Sequence, residues 1–108
     1  MRDKINDAIL FAYYGGLLNP HQREIMRLYY DCDMSLAEIG EETGITRQGV
    51  RDVIVRSTAK LDECENKLGL VGRIRDVVAR MERTIEEGGF GEEQKAELNK
   101  LVNEIKEI

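Results

Sequence analysis

The sequence predicts an all-α chain: a helix-turn-helix domain followed by a C-terminal antiparallel helical hairpin. Three observations carry this. No stretch alternates apolar and polar residues as a half-buried strand would. Ser35 to Lys60 reads as two helices joined by a tight turn at Gly44. Two later apolar stripes at helical spacing flank the glycine-rich run EEGGFG, residues 86–91. The expected domains are residues 1–69 for the helix-turn-helix and 70–108 for the hairpin, the latter a candidate oligomerisation element.

The first helix is expected over about residues 3–18. Ile5, Ile9, Leu10, Tyr13, Leu17 and Leu18 form its apolar stripe, widened by Phe11 and Tyr14. Gly15 and Gly16 weaken its end by about 1 kcal/mol each against alanine. Asn19-Pro20 marks a new start: asparagine caps, proline suits the first helical position, and Gln22 completes the capping-box spacing. This second helix runs to about Asp31, with Ile25, Met26, Leu28 and Tyr29 facing the core. Asp31, Cys32 and Asp33 read as a solvated loop, because an oxygen cage for a cation needs more ligands than two aspartates.

Ser35 and Glu38 have capping-box spacing at the start of a short third helix carrying Leu36, Ala37, Ile39 and Gly40. Gly44 stands where a chain leaving a helix needs a positive φ. Gly40 admits the next helix closely, and Ile39, Ile45, Val50 and Val53 fill the crossing. Thr46 is the expected N-cap of that next helix. Val50, Val53, Ile54, Ser57 and Leu61 line its inner side, and it continues through Cys64 and Leu68 to Gly69. From Leu70, the residues Ile74, Val77, Val78, Met81 and Ile85 make the first hairpin stripe. Phe90 packs back over the turn, and Leu98, Leu101, Val102, Ile105 and Ile108 make the second stripe, on a helix starting near Glu92. That apolar stripe either covers the N-terminal helices or meets a second chain. A homodimer is the expectation.

Composition narrows the function. The 108 residues are 42% hydrophobic and 34% charged, with a formal net charge of −5. An acidic balance argues against a general nucleic-acid coat. The charge is unevenly spread: residues 1–45 carry net −4, residues 46–83 net +3, and residues 84–108 net −4. The one basic block thus begins at the proposed recognition helix, and the acidic flanks would suppress loose phosphate binding. No run of about 18 apolar residues is present, so no membrane span is expected. The charged, amphipathic start MRDKINDAIL is unlike a signal peptide, so a cytoplasmic location is expected. Cys32 and Cys64 lack metal or redox spacing and read as reduced, half-buried apolar residues. His21, the single histidine, reads as a surface residue of a first turn. No catalytic site, cofactor site, metal site or small-molecule substrate is expected, since there is no phosphate loop after a strand and no ligand cluster.

At about 100° per residue, the outer arc of the recognition helix holds Gln48, Arg51, Asp52, Val55, Arg56 and Ala59, with Arg47 toward its edge. The candidate DNA-binding residues are Thr46, Arg47, Gln48, Arg51, Arg56 and Lys60. Arginine grips guanine at two acceptors, and glutamine pairs with adenine the same way. Arg56 and Lys60 lie farther along and suit phosphate. Asp52 opposes phosphate unless it accepts from cytosine or pairs with Arg56, four residues on. Val55 and Ala59 suit a thymine methyl or a protein surface.

Residues 13–57, YYGGLLNPHQREIMRLYYDCDMSLAEIGEETGITRQGVRDVIVRS, resemble the YlxM-like helix-turn-helix proteins of bacteria, within the wider class that includes region four of sigma factors. The resemblance covers about residues 9–70. Gly40 and Gly49 stand where that pattern has alanine, and Val53 where a polar residue is common. The resemblance implies a non-enzymatic, DNA-binding regulatory protein of sigma region-four type. It also implies a link to the signal recognition particle pathway and its components as partners. The alternative is a protein- or RNA-docking module of that pathway that keeps the fold without sequence-specific DNA binding.

Overall fold

A computed structural model describes residues 3–107. The expectation for Ile108 lies outside the described residues. Contacts divide the chain into two units, Met1–Leu68 and Gly69–Ile108.

The first unit holds α1 (Lys4–Tyr14), α2 (Pro20–Tyr30), α3 (Leu36–Thr43) and α4 (Arg47–Leu68). Asp3 caps α1, its carboxylate accepting from the amides of Ile5 at 3.0 Å and Asn6 at 3.4 Å. The helix stops at Tyr14, not near residue 18, and tightens into a 3-10 turn over Gly15–Leu17. Two successive glycines lower the helix propensity there, and the shorter turn takes over. Ile5, in the first turn of α1, and Leu17, in the 3-10 turn, were expected in the stripe and are exposed, whereas Leu18 is buried. Asn19 and Gln22 form the reciprocal capping box on α2, at 2.8 and 3.2 Å, with Pro20 in the first helical position.

The core of this unit joins Leu10, Phe11 and Tyr14 of α1, Ile25, Met26 and Leu28 of α2, Ile39 of α3, and Val50, Val53, Ile54 and Leu61 of α4. The long α4 packs on all three shorter helices. The Tyr14 hydroxyl donates to Glu65 at 2.5 Å, tying α1 to the far end of α4. Tyr29 is half-buried, with the Lys4 ammonium 4.3 Å above its ring. Cys32 corrects the sequence reading: it is exposed, because the loop turns outward at Asp33 with φ 53. Cys64 is half-buried.

Ser35 and Glu38 cap α3 reciprocally, each contact 3.1 Å. The Ser35 amide, and then its hydroxyl, hold the Glu38 carboxyl below its ordinary value of 4.5. A depressed carboxyl stabilises the fold above its unfolded pKa, and that contribution fades as pH falls through the lower folded value. Glu38→Gln is therefore expected to melt below the wild type at neutral pH. The gap should close as the pH is taken below 4.5, as read by circular dichroism melts across pH. A gap unchanged across that range contradicts the capping account.

The second unit is α5 (Leu70–Glu87) and α6 (Glu92–Lys106). They run antiparallel around Val78, Ile85 and Val102, with Ile74, Met81, Leu98 and Ile105 packed against that cluster. Glu82 pairs with Lys106 at 2.9 Å and Glu86 with Lys95 at 4.0 Å across the two helices. Val77 and Leu101, counted in the apolar stripes, do not enter the seam: they are 44% and 52% exposed. Phe90 folds toward the hairpin but stays at its rim, 37% exposed, beside Met81 and Leu98.

Candidate nucleic-acid interface

The turn between α3 and α4 decides what α4 can present. Gly44 ends α3 in the left-handed region, φ 78 and ψ 13, its amide bonded to the Gly40 carbonyl at 2.9 Å. A side chain in that conformation costs about 1–2 kcal/mol. At Gly40 the reason for glycine is space: a Cβ there would lie 2.8 Å from the Ile45 carbonyl oxygen. The chain can thus fold back over α3 and restart at once. Thr46 restarts it, its hydroxyl accepting from the Gly49 amide at 3.0 Å. That cap satisfies one of the first amides of α4, which the helix itself leaves without a partner.

Arg47, Gln48 and Arg51 follow on the first two turns of α4, all exposed. Val50, Val53 and Ile54 turn inward and fix the rotation of the helix. Thr46, Arg47, Gln48 and Arg51 are therefore gathered at one end of α4. Arg56 and Lys60, also exposed, are not part of that group. By helical rotation they sit about 140° and 180° round from Arg51. The exposed arc thus has arginines 47 and 51 on one flank, Arg56 and Lys60 on the other, and Asp52, Val55 and Ala59 between. Past the second turn the Arg51 flank closes. Thr58 is buried there, its hydroxyl donating to the Ile54 carbonyl at 2.9 Å.

Asp52 does not take the protein partner that its spacing offered four residues on. Its carboxylate accepts from the Gln48 amide nitrogen at 3.0 Å, one turn toward the N-terminus, instead of pairing with Arg56. A glutamine four residues before an aspartate on an exposed helix is a known stabilising pair, so the spacing in the sequence already held this contact. Its consequence is chemical. The donor that would meet adenine N7 is engaged, and the group engaging it is an anion. Val55 is 52% exposed beside Asp52 and Arg56.

Among the described residues no group of three or more His, Cys, Asp or Glu could hold a metal ion. Among the same residues no helix is long and apolar enough to cross a membrane.

Comparison with known proteins matches residues 1–105 to the family UPF0122, described as "Putative helix-turn-helix protein, YlxM / p13 like". A UPF0122 protein of Symbiobacterium thermophilum is 48% identical over 71 residues, covering 66% of this chain and 66% of its own. One from Acetivibrio thermocellus is 51% identical over 70 residues, covering 64% of this chain and 60% of its own. Both matches span slightly less than two thirds of the relative's length. A third, from Geobacillus kaustophilus, is 41% identical over 102 residues and covers 92% of this chain and 90% of its own. No solved structure matches the chain. With a family match over nearly its whole length and a braced, outward-facing second helix, the chain belongs to the UPF0122 family of YlxM/p13-like helix-turn-helix proteins.

Proposed function

We propose that this protein is a cytoplasmic DNA-binding regulator that acts as a dimer and inserts the N-terminal turns of α4 into a major groove. The observation that carries the reading is the exposed cluster of Arg47, Gln48 and Arg51 at the end of a helix whose rotation is locked by α3. A helix-turn-helix reads bases with the N-terminal residues of its second helix. Arg47, Gln48 and Arg51 would supply the base contacts, with Thr46 at the adjacent phosphate. Arg56 and Lys60, on the other flank, suit the opposite phosphate backbone. A place beside the signal recognition particle pathway is the finer form of this reading, and the family resemblance alone supports it.

The test is a selection of genomic fragments at moderate salt, with Arg47→Ala and Arg51→Ala run beside the wild type. A sequence preference in the wild type that both variants lose supports the reading. Wild type without preference, matched by the variants, refutes it. Asp52→Asn sharpens the test. It removes the anion and weakens its hold on Gln48, so affinity is expected to rise by about 1 kcal/mol, roughly fivefold. A fall in affinity would mean that Asp52 itself contacts a base.

A second reading has its own observation. Val55 and Ala59 are apolar and exposed in the middle of the arc, which suits docking to a protein, or to the RNA of the signal recognition particle. Recovery of such a partner from lysate, without DNA, would favour it.

A further inference from the structure

We infer that two copies of this chain pair through the open face of the α5–α6 hairpin, with α5 of one protomer lying antiparallel on α6 of the other. The dimer is part of the function proposed above, and this inference supplies its surface. The geometry itself is independent of DNA.

The hairpin has two unlike faces. The closed seam buries Val78, Ile85 and Val102. The back carries charges already matched within the chain, Glu82 with Lys106 and Glu86 with Lys95. The front is an apolar groove lined by Val77, Met81, Phe90, Leu98 and Leu101, with Arg80 at its edge. Val77 and Leu101, its most prominent aliphatic residues, are 44% and 52% exposed. Contiguous exposed apolar surface with a charged rim is the form of an association site.

The rim says what the partner is. On α5, Arg73 lies four residues before Val77 and Arg80 three after it. On α6, Glu97 lies four residues before Leu101 and Glu104 three after it. All four charges are exposed. At about 100° per residue each falls within about 60° of its central aliphatic residue, on the outer side of the groove. One helix therefore presents two arginines two turns apart around a valine. The other presents two glutamates at the same spacing around a leucine.

Antiparallel pairing brings these two patterns into register. Val77 meets the partner's Leu101, Arg73 meets the partner's Glu104, and Arg80 meets the partner's Glu97. Height along the hairpin agrees, since Val77 is ten residues before the α5 end at Glu87 and Leu101 nine after the α6 start at Glu92. A two-fold axis parallel to the helices generates this arrangement, and each contact then occurs twice, as in any isologous interface. A two-fold axis across the helices would set α5 on α5, arginine against arginine, and α6 on α6, glutamate against glutamate. Charge thus selects one of the two symmetric packings. Arg80 would leave only an exposed 3.6 Å pairing with Asp76, which contributes little.

The experiment is sedimentation equilibrium on the full chain. Wild type is expected to be a dimer at about 100 µM, a concentration that fills a dimer of micromolar affinity. Arg73→Glu with Arg80→Glu makes the rim wholly acidic; Glu97→Arg with Glu104→Arg makes it wholly basic. Each double variant is expected to associate with itself at least tenfold more weakly, while an equimolar mixture of the two recovers wild-type association. The mixture also guards against misfolding, because misfolded variants would not rescue each other. A monomeric wild type, undiminished self-association of either variant, or a mixture that stays monomeric would each overturn the inference. DNA binding is read separately on the same samples. Wild type that binds a preferred DNA site as a monomer sinks this interface and the dimer with it, and leaves the groove contact of α4 standing. Wild type that dimerises as described yet ignores DNA sinks the DNA reading alone.

Discussion

Arg51→Ala is expected to weaken binding to a selected DNA site by about 5- to 150-fold, the loss of about 1–3 kcal/mol carried by one good bidentate base contact. Binding to unrelated DNA should fall far less, so the specificity ratio collapses with the affinity. The reason lies in where the side chain stands. Arg51 is on the second turn of α4, exposed, and backed by Val50 and Ile54, which hold the helix at a fixed rotation. Lys60 provides the contrast. It lies on the other flank, where phosphate contact is expected. Lys60→Ala should weaken all sequences about equally and lower the salt slope by about one. Competition titrations at two salt concentrations distinguish the two patterns. Equal, sequence-independent losses for both variants would place Arg51 on phosphate too.

Ile39→Ala is expected to cost about 2–5 kcal/mol, the range for a buried aliphatic side chain that leaves a cavity. Ile39 is completely buried and is the buried residue of α3, an eight-residue helix that could not persist alone in water. A domain of this size has a total stability of about 3–10 kcal/mol, so one such cavity takes a large share of it. The melting temperature should fall by at least about 10 °C. DNA binding should fail at temperatures where wild type still binds, since α4 loses its brace. A shift below about 3 °C in a circular dichroism melt would show that α3 contributes little to the unit's stability.

Much of this architecture was legible in the residues. Ser35 with Glu38, Asn19 with Gln22, and Gly44 are local signals, each fixed by a backbone geometry that few residue types satisfy, and all three occur as read. The outward arc of α4 followed from periodicity, which holds along a regular helix. What escaped depended on neighbours distant in sequence or on ties between adjacent turns. Periodicity placed Val77 and Leu101 on apolar stripes, but a stripe wider than the seam leaves its edge exposed, and only packing shows which edge. Asp7, in a stretch that also holds Asp3, Lys4 and Asn6, is buried. Thr58 is buried at a rotation close to that of Arg51, because other helices cover one part of α4 and not the other. The Gln48–Asp52 bond was within reach of the spacing, yet Arg56 stands at the same interval from Asp52 on its other side, and spacing alone does not choose between the two.

The central claim is that the opening turns of α4 are the surface that meets DNA. It is tested most directly by titrating isotope-labelled protein with a selected DNA fragment and following backbone amide signals. The expected result is that the amides of Arg47, Gln48 and Arg51 shift first and most, with those around Val77 and Leu101 unmoved at constant protein concentration. Shifts confined to the hairpin, or DNA recognition that leaves residues 46–51 unchanged, would contradict it.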